Sequence, residues 1–480
     1  MTETQAATQD LVGAARRTFL LPLALAQFIC SFAGSNMNVM ITDISEDLDT
    51  TVQGVQLAIT LFLLIMAILM IPGSKLTERW GRKRCFMGGL MLYGIGALLS
   101  AVSPGLGVLI LGNSVLEGVG TALLIPPVYI LTTMTFSNVT SRARAFGVIS
   151  GLGGIGAAAG PLIGGLITTA ISWRAAFIFQ AVVVAAIILL SRRMVDPAPP
   201  DPTRPFDLVG AILSAVGMFF VVLGVLQADS NKALMAALVV IGALFLLAFF
   251  LYIRSRERAG KEPLLSTRLF RNRVSNLGLI TQNIQWLLLM GVSFVVAVYL
   301  QTVRGYNAIE TGLIFTAATL GVLLTSFGAE RFATRRTQKT LIMAGFVITV
   351  AGIGLLLGLV RASDNVLAFL PGLFLVGSGL GIMLTPSVNL VQSSFPEDQQ
   401  GEISGLSRSV SNLGSSFGTA VAGTILVSSL TSGNRSYALA LVVLIVVGLI
   451  GLAAALFLPD KVEQPEAVGL SARPSPGLRS

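Results

Sequence analysis

The chain contains no histidine, which removes the commonest metal ligand and the commonest proton shuttle near neutral pH. It has two cysteines, Cys30 and Cys85, one in the first apolar segment and one at the start of the third. Neither a disulfide framework nor a CxxC redox pair is therefore expected. Charge is scarce: 11% of residues are charged, against about 25% in soluble domains. No GxxxxGK[ST] phosphate loop occurs, which argues against ATP hydrolysis. With those groups missing, the chain does not read as an enzyme, and no metal or other cofactor is expected.

What it has instead is apolar length. Of 480 residues, 54% are hydrophobic, and segments of about 20 such residues are long enough to cross a bilayer. Fourteen are expected, at roughly 18–42, 51–72, 85–102, 106–134, 142–170, 174–191, 208–228, 232–254, 275–302, 307–329, 339–361, 365–390, 402–430 and 436–458. Arg16 and Arg17 precede the first run, and Ala24-Leu25-Ala26 has the form of a signal-cleavage site. Apolar residues continue to Ile41, which favours a retained span.

The net charge of +9 is distributed by side. Fourteen spans leave both termini on one side, and the loops of that set hold 26 of the 32 Lys and Arg residues. The other set holds Arg174, Lys232, Arg304, Arg361 and Arg435, and Arg408 lies within a span. The positive-inside rule then puts both termini in the cytoplasm of a multi-pass protein of the cell membrane. Asp43, Glu46, Asp47 and Asp49 crowd the first outer loop. The basic excess is a topology signal, and no nucleic-acid partner is expected.

Two linkers stand out, APPDPTRP at 198–205 and the basic RSRERAGKEPLLSTRLFRNR at 254–273. The halves they separate repeat one another. Gly147-x8-Gly156-x3-Gly160 recurs as Gly405-x8-Gly414-x3-Gly418, at an offset of 258. Gly118-x-Gly120-x6-Pro127 recurs as Gly377-x-Gly379-x6-Pro386, at 259, and ERWGRKR at 78–84 returns weakly as ERFATRR at 330–336. The division expected is a cytoplasmic N-terminus (1–17), a six-helix bundle (18–191), a linker (192–207), an inserted transmembrane hairpin (208–254), a basic linker (255–274), a second six-helix bundle (275–458) and a disordered tail (459–480). Such repeats are common in transporters, with the substrate site where the halves meet.

GSKLTERWGRKR (73–84), LEGVGTALLIPP (116–127), and a glycine-rich run from Gly147 to Gly165 followed by SWRAAF (172–177) resemble the major facilitator superfamily. More narrowly the chain resembles its fourteen-span drug:proton antiporters, over nearly all of Arg17 to Leu458. The resemblance implies an all-α polytopic membrane protein of major-facilitator-type fold. Its two six-helix bundles would be related by a pseudo-twofold, with a two-helix hairpin inserted, fourteen transmembrane helices in all. It implies alternating access, and for the glycine-proline run an antiporter motif (Gly147, Gly156, Gly160, Pro161, Gly164, Gly165) that helps seal one side of a central cavity.

Eight of the nineteen residues from Gly147 to Gly165 are glycine. In lipid, helix remains the best option even for glycine, because unsatisfied backbone groups are costly. Bare glycine rows let helices approach backbone to backbone. Gly147, Gly151 and Gly154 form one row, Gly153, Gly156, Gly160 and Gly164 another, and Pro161 is expected to bend the helix. Ordinary small-residue packing is the simpler reading. Glu78, Arg79, Gly81, Arg82 and Lys83 are expected to form a cytoplasmic gate by charge-assisted hydrogen bonds across the seam between halves; retention of basic residues inside is the compatible alternative. The family usually has Asp in place of Glu78 and Gly in place of Ser74.

Gln27, Ser31, Ser35 and Asn38 lie on one face of the first span. With Gln282, Gln285, Trp286, Tyr129, Phe28, Asn389 and Arg408 they are candidates for the cavity lining. Hydrogen bonding between helices is the alternative for each polar one, and snorkelling to the interface for Arg408. Glu117 is the acid placed well within the N-terminal half, and intramembrane ionisable residues are functional hypotheses. It is the proton-coupling candidate, although the resemblance calls for an Asp at Ala33, an Arg at Ser114 and a Gln at Glu117 itself. The function expected is secondary active export of hydrophobic or amphipathic compounds by proton antiport, with the bilayer and protons as partners and the monomer as the unit. Few charges in the cavity point to neutral or weakly cationic substrates. A lipid or glycolipid exporter, an uptake carrier and a non-transporting receptor or scaffold are the rivals.

Overall fold

The computed structural model describes residues 3–136, 139–197, 199–227, 231–333, 336–362, 365–395, 399–427 and 434–460. The expected tail from 461 onward lies outside the described residues, as does part of the weak ERFATRR repeat. Among the described residues there is no strand. The long helices are α1 (Glu3–Asn36), α2 (Val52–Trp80), α3 (Arg82–Ala101), α4 (Leu106–Thr135), α5 (Val139–Ala170), α6 (Trp173–Ser191) and α7 (Leu208–Leu226). They continue as α8 (Lys232–Arg258), α9 (Arg273–Val298), α10 (Ala308–Ala333), α11 (Gln338–Ala362), α12 (Phe369–Gln392), α13 (Gln400–Val427) and α14 (Asn434–Leu456). Helix α1 starts well before its apolar part.

Among the described residues twelve helices are long and apolar enough to cross a membrane, or thirteen with the bent α5 counted as one, against the expected fourteen. The chain is a multi-pass membrane protein. The helix of the expected set outside that count is the serine-rich α13.

Local chemistry sets the ends. Thr51, Ser172, Asp207, Asn231 and Asn272 each accept a hydrogen bond from a first-turn amide of the helix that follows. Gly81, at φ +96°, turns the chain between α2 and α3 in one residue, a backbone conformation that favours glycine. Helix α5 bends by 44° between Ala157 and Ala159. Pro161 cannot donate to the Ala157 carbonyl four residues back, which accounts for the bend.

The glycine rows show the repeat at atomic level. A Cβ on Gly156 would overlap the Phe28 carbonyl of α1, and one on Gly160 would crowd the Phe32 carbonyl and Ser35. In the second half a Cβ on Gly414 would overlap the Asn283 carbonyl of α9, and one on Gly418 the Leu287 carbonyl. Thus α5 lies on α1 as α13 lies on α9. Gly120 likewise faces Gly89 of α3, and Gly379 faces Gly345 of α11. Gly153 and Gly164 join the packed row, against Gln27 and Asn36. The other expected row is not a packing row: a Cβ on Gly151 or Gly154 would meet nothing within 4 Å, and Gly147 is exposed.

Between the halves, α2 packs on α13 and α5 on α10. Helix α7 sits against both α2 and α13, with α8 outside it; only 11% of the α8 apolar window is buried. One end of the bundle carries the basic loops around 75–84, 192–204 and 254–273, and is called the basic end; the opposite one is the far end.

Candidate functional site

A cavity of about 60 Å³ lies between the halves. Helix α1 contributes Gln27, Cys30, Ser31 and Gly34, α2 contributes Leu63, Met66 and Met70, and Ile125 and Ala157 come from α4 and α5. The second half contributes Trp286 and Met290 of α9 with Arg408, Ser411, Asn412 and Ser415 of α13. Ser411, Asn412 and Ser415 follow Arg408 at helical spacing, and these three are cavity residues that the sequence reading does not name. A water needs roughly 10–15 Å³ of such space, so this cavity has room for several. Pockets that hold drug-sized ligands measure ~300–1,000 Å³, and binding one here requires the halves to part. Three methionines and a tryptophan give that wall an adaptable apolar surface.

Arg408 also lines a crevice of about 10 Å³ toward the basic end, with Met70, Ser74, Ile125, Pro126, Tyr129, Ile130, Ser404 and Gly405. Its guanidinium lies 4.6 Å from the centroid of the Tyr129 ring. Tyr129 stacks on Phe146 and donates to Gln27 Oε1 at 3.1 Å, and Gln27 Nε2 donates to Ser31 Oγ at 3.1 Å. Gln27, Ser31, Trp286, Tyr129 and Arg408 are therefore brought together, and Arg408 faces a cavity instead of reaching for the interface.

The other cavity candidates lie elsewhere. Gln282 is buried and accepts from Ser407 Oγ at 2.9 Å. Gln285 accepts from Ser387 Oγ at 2.8 Å. Both tie helices together inside the second half, which is what an amide costly to bury unpaired does there. Ser35 turns back on the carbonyls of Ser31 and Phe32. Asn38 uses its carbonyl to accept from Gln301 Nε2 at 2.8 Å, and Asn389 is exposed outside both cavities. Phe28 stacks on Phe32.

Glu117 stands behind the cavity wall, not in it. It ends a π-helical stretch of α4, Ile110–Glu117, a form often found at functional sites. The side chain is fully buried against α3, where a Cβ on Gly96 would lie 2.9 Å from its Cγ. Its carboxyl faces the hydroxyls of Tyr93 and Ser100, although neither oxygen completes a hydrogen bond of ordinary geometry. Tyr93 donates instead to Gln180 Oε1 at 2.5 Å. The Thr121 hydroxyl donates to the Glu117 carbonyl at 2.8 Å. Cys30, which lines the cavity, lies 3.8 Å from that hydroxyl, so Thr121 stands between the cavity wall and the Glu117 backbone. At the usual coupling positions Ala33 is buried and Ser114 donates to the Ala58 carbonyl of α2 at 2.7 Å.

The expected gate residues are used differently from the expectation. Glu78 pairs with Arg204 of the following linker. The Lys83 amide donates to Asp196 at 3.0 Å and its Nζ to the Arg192 carbonyl at 2.9 Å. These contacts stay within the first half and its linker. The ion pair across the seam belongs to Lys75, which reaches Glu402 of α13 at 2.7 Å and Glu262 at 3.0 Å. No local pattern signals it, because Glu402 is 327 residues away.

At the far end the halves are tightly joined. Gln301 accepts from Thr42 N at 3.1 Å, Gln56 donates to the Thr419 carbonyl at 3.3 Å, and the Ile309 amide donates to Thr169 Oγ1 at 3.1 Å. A Cβ on Gly165 would overlap the Ala308 carbonyl, and one on Gly312 would lie 2.5 Å from the Pro161 carbonyl. Within the first half, Arg174 of SWRAAF pairs with Asp47, stacks 4.3 Å over Trp173 and donates to the Ser103 carbonyl. That pairing holds the Asp47 carboxyl below its ordinary value, while burial raises that of Asp43.

A family model described as Major Facilitator Superfamily matches residues 23–419 and, overlapping, 280–478. The chain belongs to the major facilitator superfamily. It is 28% identical over 411 residues to the puromycin resistance protein pur8 of Streptomyces alboniger, covering 85% of this chain and 81% of that one. It is 26% identical over 425 residues to the multidrug resistance protein Stp of Mycobacterium tuberculosis, covering 87% and 77%. In fold it is similar to the crystal structure of a peptide transporter, POT, in complex with sulfate. The TM-score is 0.67 at 17% identity, over 92% of this chain and 94% of the other. Relatives and fold are those of superfamily transporters, not of enzymes.

Proposed function

We propose that the chain is a secondary active exporter of small amphipathic compounds, working by alternating access between halves at 18–191 and 275–458. The observation that carries this reading is the cavity at Arg408, lined from both halves, in a chain whose relatives are named for drug resistance. With the basic end in the cytoplasm, as the positive-inside rule directs, the far-end seal faces outward. Helices α7 and α8 then form the inserted hairpin and α13 is the fourteenth span, its serines covered by α2 and α9. Lys75, through Glu402 and Glu262, forms the cytoplasmic gate. Pro161 and Gly165 form the outer seam with α10.

Antiport is assigned to Glu117. The carboxyl faces the Tyr93 and Ser100 hydroxyls between α3 and α4, where burying an ionised carboxylate without a cation is costly, and opening toward Cys30 and the cavity is the step that exchanges its proton. The test is uptake of a hydrophobic dye into everted vesicles with and without an imposed pH gradient. Uptake should follow the gradient and fall at least tenfold in Glu117→Gln. Gradient-driven uptake that persists in the variant overturns the coupling assignment. Labelled lipid crossing between leaflets, with no dye moved, would replace compound export by lipid export.

A further inference from the structure

Arg408 carries a charge inside the bundle that no carboxylate among the described residues pairs with. The described acids nearest the seam are engaged elsewhere: Glu402 and Glu262 with Lys75, Glu78 with Arg204, Asp207 with the Gly210 and Leu264 amides and Arg256. Glu117 is walled off between α3 and α4 beside Gly96. Among the described residues Arg408 makes no ion pair, and its guanidinium lies over the Tyr129 ring face. The guanidinium is half-buried and faces the cavity, and ionisable groups kept within membranes mark ligand pathways.

The neighbourhood completes a recognition surface. Asn412 lies one helical turn beyond Arg408 on the cavity face of α13. Ser31 offers a hydroxyl from the opposite half, already oriented by Gln27. Around this polar corner stand Leu63, Met66, Met70, Ile125, Trp286 and Met290. A guanidinium fork with an amide beside it matches a planar oxyanion, and the thioether and indole wall matches an apolar or aromatic body. A cationic ligand would meet the same Arg408 charge at close range, with no acid in the lining to offset it.

We infer that the cavity selects amphipathic anions, an aromatic or aliphatic body bearing a carboxylate or sulfonate held by Arg408 and Asn412, rather than the neutral or weakly cationic compounds that the sequence suggests. This rests on the export reading and narrows it to a substrate class.

The experiment uses the full chain in proteoliposomes with two dyes that share a xanthene core, fluorescein as the anion and rhodamine 123 as the cation. Puromycin serves as a third, unrelated probe. Wild type is expected to move fluorescein at least tenfold faster than rhodamine 123. Arg408→Gln should lower that ratio at least tenfold, whereas Arg408→Lys, which keeps the charge without the fork, should retain most of it. Asn412→Ala should raise the fluorescein KM severalfold with kcat little altered, and it carries the test if Arg408→Gln does not fold. Equal rates for the two dyes in wild type, or an equal loss of both in Arg408→Gln, overturns the anion assignment. Movement of rhodamine 123 or puromycin without fluorescein does the same while leaving export standing. If none of the three moves, export and anion selection fall together.

Discussion

Asp47 shows how a single carboxylate can hold a far-end loop. It accepts from Trp173 Nε1 at 3.1 Å and from Arg174, whose guanidinium also caps the Ser103 carbonyl. The pairing with Arg174 is the largest cause of its lowered pKa. A carboxyl that ionises more readily in the folded state stabilises above its unfolded pKa, and that contribution is lost as pH falls through the folded one. The thermal midpoint of Asp47→Asn in detergent should therefore lie below wild type by a constant gap from neutral pH down to about pH 4. Below the ordinary carboxylate value of 3.8 the gap should close. A gap that widens in acid would contradict this role. The pair is half exposed, so the shift should be small and should shrink with added salt.

At the scale of helices, the glycine rows carry the packing. The α5 row at Gly153, Gly156, Gly160 and Gly164 meets α1, and Gly414 and Gly418 repeat that contact between α13 and α9. Overpacking such a contact costs roughly 1–3 kcal/mol. Gly156→Val and Gly414→Val should each lower the thermal midpoint of the purified protein, and by similar amounts because the contacts are equivalent. Gly151→Ala and Gly154→Ala, which meet nothing within 4 Å, should leave it unchanged. This contrast was only half legible. Both rows have helical spacing, but the spacing cannot say which one has a neighbour. The bend was legible from Pro161, since a missing amide acts on its own helix. Gln27 and Gln282 are also alike in sequence, each an amide in an apolar span. One faces the cavity, while the other is taken up by Ser407, 125 residues on.

For the molecule as a whole, the duplication could be read because glycine offsets survive where other residues have diverged. The seam could not, because it is built from pairs such as Lys75 with Glu402 and Gln301 with Thr42, whose members lie in different halves. The central claim is that these halves rock about the cavity, one end closing as the other opens. Spin labels at Thr169 and Glu310 report the far end, and labels at Trp80 and Arg271 the basic end; all four sites are exposed. Distances by double electron–electron resonance, measured with and without fluorescein and at pH 5 and pH 8, test the claim directly. The account predicts two populations at each end, exchanging in opposite senses, so that the far-end distance lengthens as the basic-end distance shortens. Distances that stay fixed under all four conditions, or that lengthen together, would contradict it.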